Sequence, residues 1–260
     1  MDLVFRGRSA TAERCGEGAF WVVTLEGGEG NPVDPALLDD LPRILAAAAG
    51  EKRLCAMLFR AAGEDFCRGA DPRELAPDRA EPFITSLCAL VGEMLDSSLF
   101  LIAAIRGRCL GAGLELISTC GRIYASPEAR VGVPQLDQGL IAPVASLTLP
   151  ERIGLPAATE LCASGHIKRA DEASWIGLVD HVVEAPEQVA RGEIEEYLAP
   201  LSASSVRLSI RALNTGLRDR FRAGIEAVRR LYLEELMGTA DAREGVRALA
   251  EDRKPVWRHE

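Results

Sequence analysis

A carboxylate near the middle of the chain, Glu115, lies where the sequence predicts free backbone amides. The apolar run 99–105 is typical of a buried strand, and the Gly-Ala-Gly sequence at 111–113 predicts a tight turn into a helix. The first amides of a helix have no partner within it and lie at the positive end of its dipole, so they suit a negatively charged oxygen. The apolar neighbours of Glu115 are expected to raise the pKa of its carboxyl toward the range useful for proton transfer.

Other catalytic arrangements find little support in the residue types. The three histidines, at 166, 181 and 259, lack metal-ligand spacing, and no G-x-S-x-G or G-x-x-x-x-G-K-[ST] sequence is present. The seven cysteines are odd in number, form no C-x-x-C pair and fall mostly in apolar runs, so we expect reduced core thiols. One plain alternative for Glu115 stays open, a surface glutamate stabilised by the helix dipole.

The composition indicates a globular chain with an acidic balance. Its 260 residues are 48% hydrophobic, which is enough for one sizeable core. The net charge of −9 and the lack of a basic stripe argue against nucleic-acid binding, which needs cations to displace counterions from phosphates. The chain shows no apolar leader and no 18-residue apolar run, so the sequence predicts a cytoplasmic protein with no membrane partner.

Strands alternate with helices up to about residue 125, which is typical of β-α-β units in an α/β fold. The first two strands are predicted to form a hairpin through the glycines at 16–18. Asp34, followed by a proline, is predicted to cap the first helix. The predicted elements are strands 3–6, 19–25, 54–59 and 99–105 and helices 35–49 and 81–97.

From Pro143 onward the pattern is mostly helical, with breaks predicted at Pro200, Gly216 and Gly238. The predicted elements are helices 143–153, 155–164, 169–176, 186–199, 202–219, 221–237 and 239–251 and a short strand at 179–183. We expect residues 1–200 to form the core that carries the site. Residues 201–260 are expected to form a helical lid or oligomerisation region.

Five ordered motifs resemble those of the crotonase superfamily, the enoyl-CoA hydratases and isomerases. The main ones are residues 67–71 (CRGAD), resembling A-x-G-A-D, residues 107–116 (GRCLGAGLEL), resembling G-x-x-x-G-G-G-x-E-L, and residues 131–135 (VGVPQ), resembling F-G-x-P-E. The others are residues 172–179 (EASWIGLV) and residues 244–245 with 252–255. The resemblance runs from about residue 19 to the end and implies a crotonase-like ββα superhelix with a C-terminal helical region.

The resemblance implies an oxyanion hole for a CoA thioester. A thioester that gains or loses water or a proton passes through an enolate, whose oxygen needs preorganised donors. The family supplies two backbone amides, and the matching positions are Ala70 and Ala112. Ala112 stands where the family often has glycine, a small change for an amide donor.

The family's hydratases usually use two glutamates, and this chain matches only one of them. Glu115 matches the first, whereas the second position is Gln135, whose amide orients water but is neither acid nor base. Glu115 is therefore the one matched titratable group, with Gln135 in a positioning role. Asp137 is a weak substitute, since in an extended segment it would lie about 6–7 Å further along.

The segment after Gln135 departs from the Gly-rich run of short-chain hydratases. Residues 139–146, together with 108–111, look most like the alicyclic dienoyl-CoA hydratases, of which cyclohexa-1,5-diene-1-carbonyl-CoA hydratase is the type. This resemblance implies an acyl pocket shaped for a ring by Ile141, Ala142 and Pro143. The alternative that Pro143 simply begins a helix stays open.

The resemblance also implies where coenzyme A binds. Its adenine and pantetheine are expected between the loop at residues 28–31 and the loop at residues 67–70. Arg253 and Lys254, near the C-terminus, are expected to approach CoA from the same or a neighbouring subunit. Arg68 is expected to pair with a phosphate, although a solvated surface arginine fits the sequence equally well. Because CoA is part of the substrate, no separate cofactor and no metal are expected. The expected CoA-binding residues are Gly28, Glu29, Gly30, Cys67, Arg68 and Lys254.

The leading hypothesis is a hydratase that adds water to, or removes it from, an unsaturated CoA thioester with a cyclic or bulky acyl part. Glu115 would take a proton from water that Gln135 positions. Two alternatives stay open: a one-base decarboxylase, isomerase or thioester hydrolase on the same oxyanion hole, and an acyl-CoA-binding subunit without activity. Members of the family commonly form trimers or dimers of trimers, so a homo-oligomer is expected.

Overall fold

Two sheets organise residues 2–260, the part of the chain that the computed structural model describes. The larger sheet has the strand order β1-β2-β3-β4-β5-β7-β10, and the smaller has the order β6-β8-β9. The strands are β1 (Asp2–Arg6), β2 (Ala10–Cys15), β3 (Phe20–Leu25), β4 (Ala56–Ala61), β5 (Phe100–Ile105), β6 (Arg108–Leu110), β7 (Arg122–Ala125), β8 (Arg130–Gly132), β9 (Ile167–Arg169) and β10 (His181–Val182).

Helices connect the parallel strands and then make up most of the C-terminal half. They are α1 (Pro35–Ala49), α2 (Ala80–Asp96), α3 (Ala112–Ile117), α4 (Ala145–Ser164), α5 (Ala170–Trp175), α6 (Pro186–Glu193), α7 (Ala203–Arg230) and α8 (Ala240–Ala250). Asp34 caps α1 as predicted, because its Oδ1 accepts a 2.7 Å hydrogen bond from the Leu37 amide. Within residues 2–260, no helix is long and apolar enough to cross a bilayer.

The centre of the larger sheet is parallel, as the predicted β-α-β units require. Strands β3, β4 and β5 pair in register, with Val22 opposite Leu58 and Leu58 opposite Ile102. The crossovers that contain α1 and α2 connect them, so the predicted α/β fold class is confirmed. Parallel strands end at the same edge of a sheet, and the loops after β4 and β5 therefore meet there.

The predicted hairpin between 3–6 and 19–25 is wrong, because a further strand lies between them. β2 pairs antiparallel with β3 around the turn at 16–18 and also pairs with β1. The charged residues Glu13 and Arg14 make this segment resemble a loop in the sequence. In the fold, the Arg14 guanidinium donates a 2.6 Å hydrogen bond to Glu51, so a charged side chain is accommodated at the margin of the sheet.

The predicted break at Gly216 is also wrong, since α7 passes through it without interruption. A glycine inside a helix costs about 1 kcal/mol relative to alanine, and packing of α7 against α2 and α4 offsets that cost. After Arg230 the helix continues as a wider, π-type turn at Leu231–Glu235. The helices predicted at 202–219 and 221–237 are therefore one continuous element.

One principal hydrophobic core runs under the sheet and the helices. It contains residues of β3, α1, α2 and α3 together with four from the C-terminal region, Phe221, Tyr232, Ala242 and Val246. The C-terminal helices therefore share the core with the first 200 residues. Through this packing they contribute a wall of the site described next.

Candidate active site

Two loops run side by side at the edge of the sheet where β4 and β5 end. The Cys67 amide donates a 2.9 Å hydrogen bond to the Arg108 carbonyl, and the Leu110 amide donates one of 2.9 Å to the Cys67 carbonyl, so Cys67 pairs in parallel with Cys109. Three residues further along both segments, this register brings Ala70 close to Ala112. A Cβ atom on Gly111 would lie 3.7 Å from the Gly69 Cα, which shows how closely the backbones approach.

The amides of Ala70 and Ala112 are free donors on the wall of one cavity. The neighbouring amides are engaged, because that of Asp71 donates to the Val33 carbonyl and that of Gly111 donates to the Gly132 carbonyl, each at 2.9 Å. Within residues 2–260, the amides of Ala70 and Ala112 donate to no protein group. Both residues line the cavity, and Ala112 is the first residue of α3, at the positive end of its dipole. Two such donors suit an oxygen that develops negative charge.

Two glycines permit this arrangement of the second loop. Gly107 adopts a φ of +55°, and a Cβ atom there would lie 2.2 Å from the Glu64 carbonyl oxygen. Gly111 adopts a φ of +50° as the N-cap of α3. Any other residue would be strained at these angles, so glycine is needed to turn the chain from β5 through β6 into α3.

Glu115 is buried in the wall of the same cavity, with both oxygens hydrogen-bonded. Its Oε1 accepts from the amides of Val144 and Ala145, at 2.8 and 3.0 Å, and its Oε2 accepts from Gln135 Nε2 at 3.1 Å. Only 1% of the residue is exposed. Desolvation raises the pKa of Glu115 to about 7, although the three hydrogen bonds oppose the rise. The structure therefore buries Glu115 among apolar neighbours as expected, and the surface-glutamate alternative is wrong.

Gln135 offers a second acceptor beside that carboxylate. It belongs to a short 3-10 helix, Pro134–Gln138, and its Oε1 is buried without a hydrogen-bond partner in residues 2–260. Asp137 on the same short helix is exposed, and its Oδ1 faces Gly165, so it does not line the cavity. The helical turn sends residues two positions apart in different directions, which removes Asp137 as a substitute for a second glutamate.

The cavity has a volume of about 350 Å³, with a polar mouth and mostly apolar walls. Of the three predicted acyl-pocket residues, Ile141 and Pro143 line it, whereas Ala142 is packed in the hydrophobic core and does not. Ala142 is therefore removed from the predicted acyl pocket, because its neighbours face the cavity whereas its own side chain faces the hydrophobic core. The other apolar wall residues are Pro32, Pro72, Leu75, Phe83, Ile84, Leu87, Pro134, Leu140 and Leu249.

Only part of the predicted CoA-binding set lies at the cavity. Glu29 and Arg68 line it. A 2.8 Å hydrogen bond from the Arg68 amide to the Gly30 carbonyl joins the loop after β3 to the loop after β4. Gly28 and Gly30 shape the first loop without lining the cavity. Cys67 is fully buried, its backbone groups are hydrogen-bonded within the fold, and it does not line the cavity.

The basic groups of the predicted set are partly neutralised. Arg68 Nε donates to Asp65 at 2.6 Å and its Nη1 donates to Glu29 at 3.3 Å, so a phosphate would compete with two carboxylates for this guanidinium. Lys254 is exposed near the C-terminus and does not line the cavity of its own chain. The geometry of a single chain therefore places Arg68, and not Lys254, at the mouth.

Sequence reasoning missed two residues that shape the site. Asn31 is buried, with a φ of +46°, and its Nδ2 donates to the carbonyls of Ala62 and Asp65 at 2.8 and 2.9 Å, which ties the loop after β3 to the loop after β4. Tyr232 lines the cavity from the π-type turn and is 1% exposed. Asparagine next to glycines is a signal for a left-handed turn, whereas nothing local to Tyr232 indicates its position.

Comparison with known proteins gives the family of this chain. The enoyl-CoA hydratase/isomerase family model matches residues 16–260. A cyclohexa-1,5-dienecarbonyl-CoA hydratase from Thauera aromatica is 37% identical over 241 residues, which is 93% of each chain. A mevalonyl-coenzyme A hydratase from Aspergillus fumigatus is 31% identical over 237 residues, covering 88% of this chain and 87% of that one.

Solved structures agree with the fold. An enoyl-CoA hydratase from Mycobacterium avium superposes with a TM-score of 0.85 at 24% identity, covering 96% of this chain and 99% of the other. An enoyl-CoA hydratase/isomerase from Pseudoalteromonas atlantica gives a TM-score of 0.83 at 26% identity, with the same coverage. The resemblance inferred from the five motifs is confirmed, and the chain belongs to the enoyl-CoA hydratase/isomerase family of the crotonase superfamily.

Proposed function

We propose that this protein is a hydratase that adds water to, or removes it from, an unsaturated CoA thioester. The observation that carries the proposal is the grouping of four features on one cavity wall: two free amides, a buried carboxyl with a pKa of about 7, and an unpaired amide oxygen on Gln135. The two amides can stabilise the oxygen of an enolate, and the carboxyl can transfer a proton. The fourth serves a water molecule.

In this mechanism the thioester oxygen accepts hydrogen bonds from the amides of Ala70 and Ala112. A water molecule donates one hydrogen bond to Glu115 Oε2 and another to Gln135 Oε1, leaving a lone pair directed at the unsaturated carbon. As the carbon–oxygen bond forms, Glu115 takes the water proton and the electrons of the double bond pass into the enolate. Glu115 then returns the proton to carbon, because Gln135 cannot supply one.

We further propose a cyclic or similarly bulky acyl group. The 37% identity with a hydratase named for a cyclohexadiene thioester supports this class. So do the apolar walls around the carboxyl of Glu115, which include Ile141 and Pro143. CoA itself is proposed to extend from the mouth past Glu29 and Arg68, and the reaction then needs no cofactor beyond the CoA of the substrate.

A one-base reaction is the second candidate, and Gln135 is the observation that favours it. With one titratable carboxyl in contact with the proposed water position, a double-bond isomerase or a decarboxylase is also chemically complete. Incubation with a 3-enoyl thioester and with a β-carboxy thioester, followed by mass spectrometry, separates these reactions from hydration. Incorporation of ¹⁸O from labelled water into the intact thioester marks hydration, whereas thioester hydrolysis places the label in the released acid.

Substitution of Glu115 tests the proposed function directly. Glu115→Gln keeps the shape and removes the base, so we expect hydration of a cyclic dienoyl thioester to fall by at least about 10³-fold while CoA-ester binding persists. The fall in absorbance of the conjugated thioester measures the rate, and calorimetry measures binding. Glu128→Gln, on the surface, is the matched control and should keep full activity. Turnover unchanged in Glu115→Gln contradicts the assignment.

The assembly and location are also proposals. Large apolar side chains are exposed on the C-terminal half, including Trp175 at 84% and Leu213 at 77%, which supports a homotrimer or a dimer of trimers. All seven cysteines are free thiols, which supports a reducing, cytoplasmic setting.

A further inference from the structure

Tyr232 carries a hydroxyl that the mechanism above does not use, on a side chain that is almost fully buried. Tyr232 is 1% exposed and lines the cavity together with Glu115 and Gln135. In the part of the chain that the structure describes, its hydroxyl forms no hydrogen bond with a protein group. The other buried tyrosine, Tyr124, donates its hydroxyl to Glu193, which is the usual outcome for a buried phenol.

A hydroxyl on a cavity wall without a protein partner is free to donate a hydrogen bond to a molecule in that cavity. Such a molecule must be one that accepts a hydrogen bond. Burial and the nearby charge of Glu115 raise the pKa of Tyr232 well above its ordinary value, so the phenol keeps its proton at physiological pH. Tyr232 is therefore a donor and cannot serve as a base.

Glu115 and Gln135, which line the same cavity as Tyr232, both carry oxygens that can accept a hydrogen bond. Glu115 Oε2 receives one hydrogen bond, from Gln135 Nε2, and has a lone pair left. Gln135 Oε1 receives none. A water molecule can donate to both of these oxygens, and it then lacks a donor of its own. The hydroxyl of a hydrated acyl group is in the same position, since its oxygen can both donate and accept.

We propose that Tyr232 is a further catalytic residue, whose hydroxyl donates a hydrogen bond to the oxygen that is added or removed. This inference rests on the proposed hydratase function. In hydration, the water oxygen forms its bond to carbon while Glu115 takes the proton, and Tyr232 keeps its own proton throughout. In dehydration, Glu115 first takes a proton from carbon and then gives it to the oxygen as the carbon–oxygen bond breaks, while Tyr232 stabilises the charge on the departing oxygen.

Tyr232→Phe removes only the hydroxyl and keeps the apolar ring in the wall. We expect kcat to fall by about 10- to 100-fold, because one donor to the reacting oxygen is lost. KM should change less than about twofold, because the ring keeps its packing contacts with the acyl group. The melting temperature should not fall, which separates this result from a folding defect. Tyr197→Phe, with the parent side chain 62% exposed, is the matched control and should behave as wild type.

Binding gives a readout that does not need turnover. Calorimetry compares 2-hydroxycyclohexanecarbonyl-CoA with cyclohexanecarbonyl-CoA, which lacks the hydroxyl. The wild type should prefer the hydroxylated ester by about tenfold or more, and Tyr232→Phe should lose that preference while binding the other ester normally. A Tyr232→Phe variant with full kcat and an unchanged preference overturns the inference.

The same measurements keep this inference distinct from the proposed function. A wild-type protein that hydrates none of the unsaturated thioesters contradicts the hydratase proposal, and with it the catalytic role of Tyr232. If the hydroxyl preference then still depends on Tyr232, the contact itself is supported as a recognition contact. If the preference is also absent, the contact is contradicted.

Discussion

The two oxygens of Glu115 have different surroundings, and this asymmetry assigns their roles. Oε1 is held by two amides at the start of α4, which fix the carboxyl and stabilise its charge. Oε2 has one partner, Gln135, and is the oxygen with a free lone pair beside the cavity. In the proposed mechanism, Oε2 is therefore the atom that exchanges a proton with substrate.

The raised pKa of Glu115 predicts the same pH dependence in both directions of the reaction, because the residue begins each direction as a carboxylate. Hydration needs the carboxylate, so kcat/KM should rise about tenfold per pH unit up to about 7 and then level. Dehydration also needs the carboxylate, which first takes the proton from carbon, so its kcat/KM should likewise rise up to about pH 7 and then level. Initial rates in both directions between pH 5.5 and 8.5 measure this. Profiles that are flat in both directions contradict a titrating Glu115.

At the residue scale, the sequence predicts what local neighbours determine. The apolar residues around Glu115 in α3 are enough to predict its burial and raised pKa, and the position of Gln135 follows from a motif. Tyr232 escapes prediction because its approach to Glu115 depends on how α7 and the π-type turn pack. The pairing of Arg68 with Asp65 likewise depends on the three-dimensional path of a loop.

At the scale of elements, α8 acts as the support for the segment that carries Gln135. Gly245 packs so closely on the 3-10 helix that a Cβ atom would lie 1.9 Å from the Gln138 carbonyl oxygen. Glu244 fixes the chain after α8, because its carboxylate accepts from Arg253 at 2.6 Å and from the Val256 amide at 3.0 Å. These bonds, that of Arg253 above all, hold the pKa of Glu244 well below its usual range. The C-terminal motif at 244–245 and 252–255 therefore has a structural reason.

Gly245→Ala should displace this support and disturb the site. The added methyl group would clash with backbone atoms of the 3-10 helix, which cannot move aside as a flexible side chain can. We expect this overpacking to lower the free energy of unfolding by about 1–3 kcal/mol, and the melting temperature should fall with it. Hydration should fall with it, because Gln135 moves relative to Glu115. Gly238→Ala is the control, since a Cβ atom there meets nothing within 4 Å. A Gly245→Ala protein as stable and active as the Gly238→Ala protein contradicts the role given to α8.

Elements with strong periodicity were predictable and marginal ones were not. The helix over 35–49 matches α1, because the cap and apolar spacing act locally. Strand β6 has three residues and exists only because it pairs with β8, so its own sequence carries no signal. Strand β2 is similar, since its partners on both sides determine it. Gly216 shows the opposite case, because a glycine locally predicts a helix break and tertiary packing keeps α7 continuous there.

At the scale of the molecule, the C-terminal region supplies part of the cavity wall. Tyr232 and Leu249 come from this region, and both line the cavity that contains Glu115. Removing the last 60 residues would therefore open one wall and expose part of the principal core. The same region also presents exposed apolar side chains, which a monomer in water rarely keeps without use.

These exposed side chains predict the assembly and the surface that forms it. Light scattering after size exclusion should give three or six times the chain mass of 28.0 kDa. Leu213→Glu on α7 places a charge on a side chain that is 77% exposed in the single chain, so it should shift the protein to monomer without unfolding it. Leu3→Glu, on a residue 50% exposed in β1, is the control and should leave the mass unchanged. A monomeric wild type, or an unchanged mass for Leu213→Glu, contradicts an interface on the C-terminal helices.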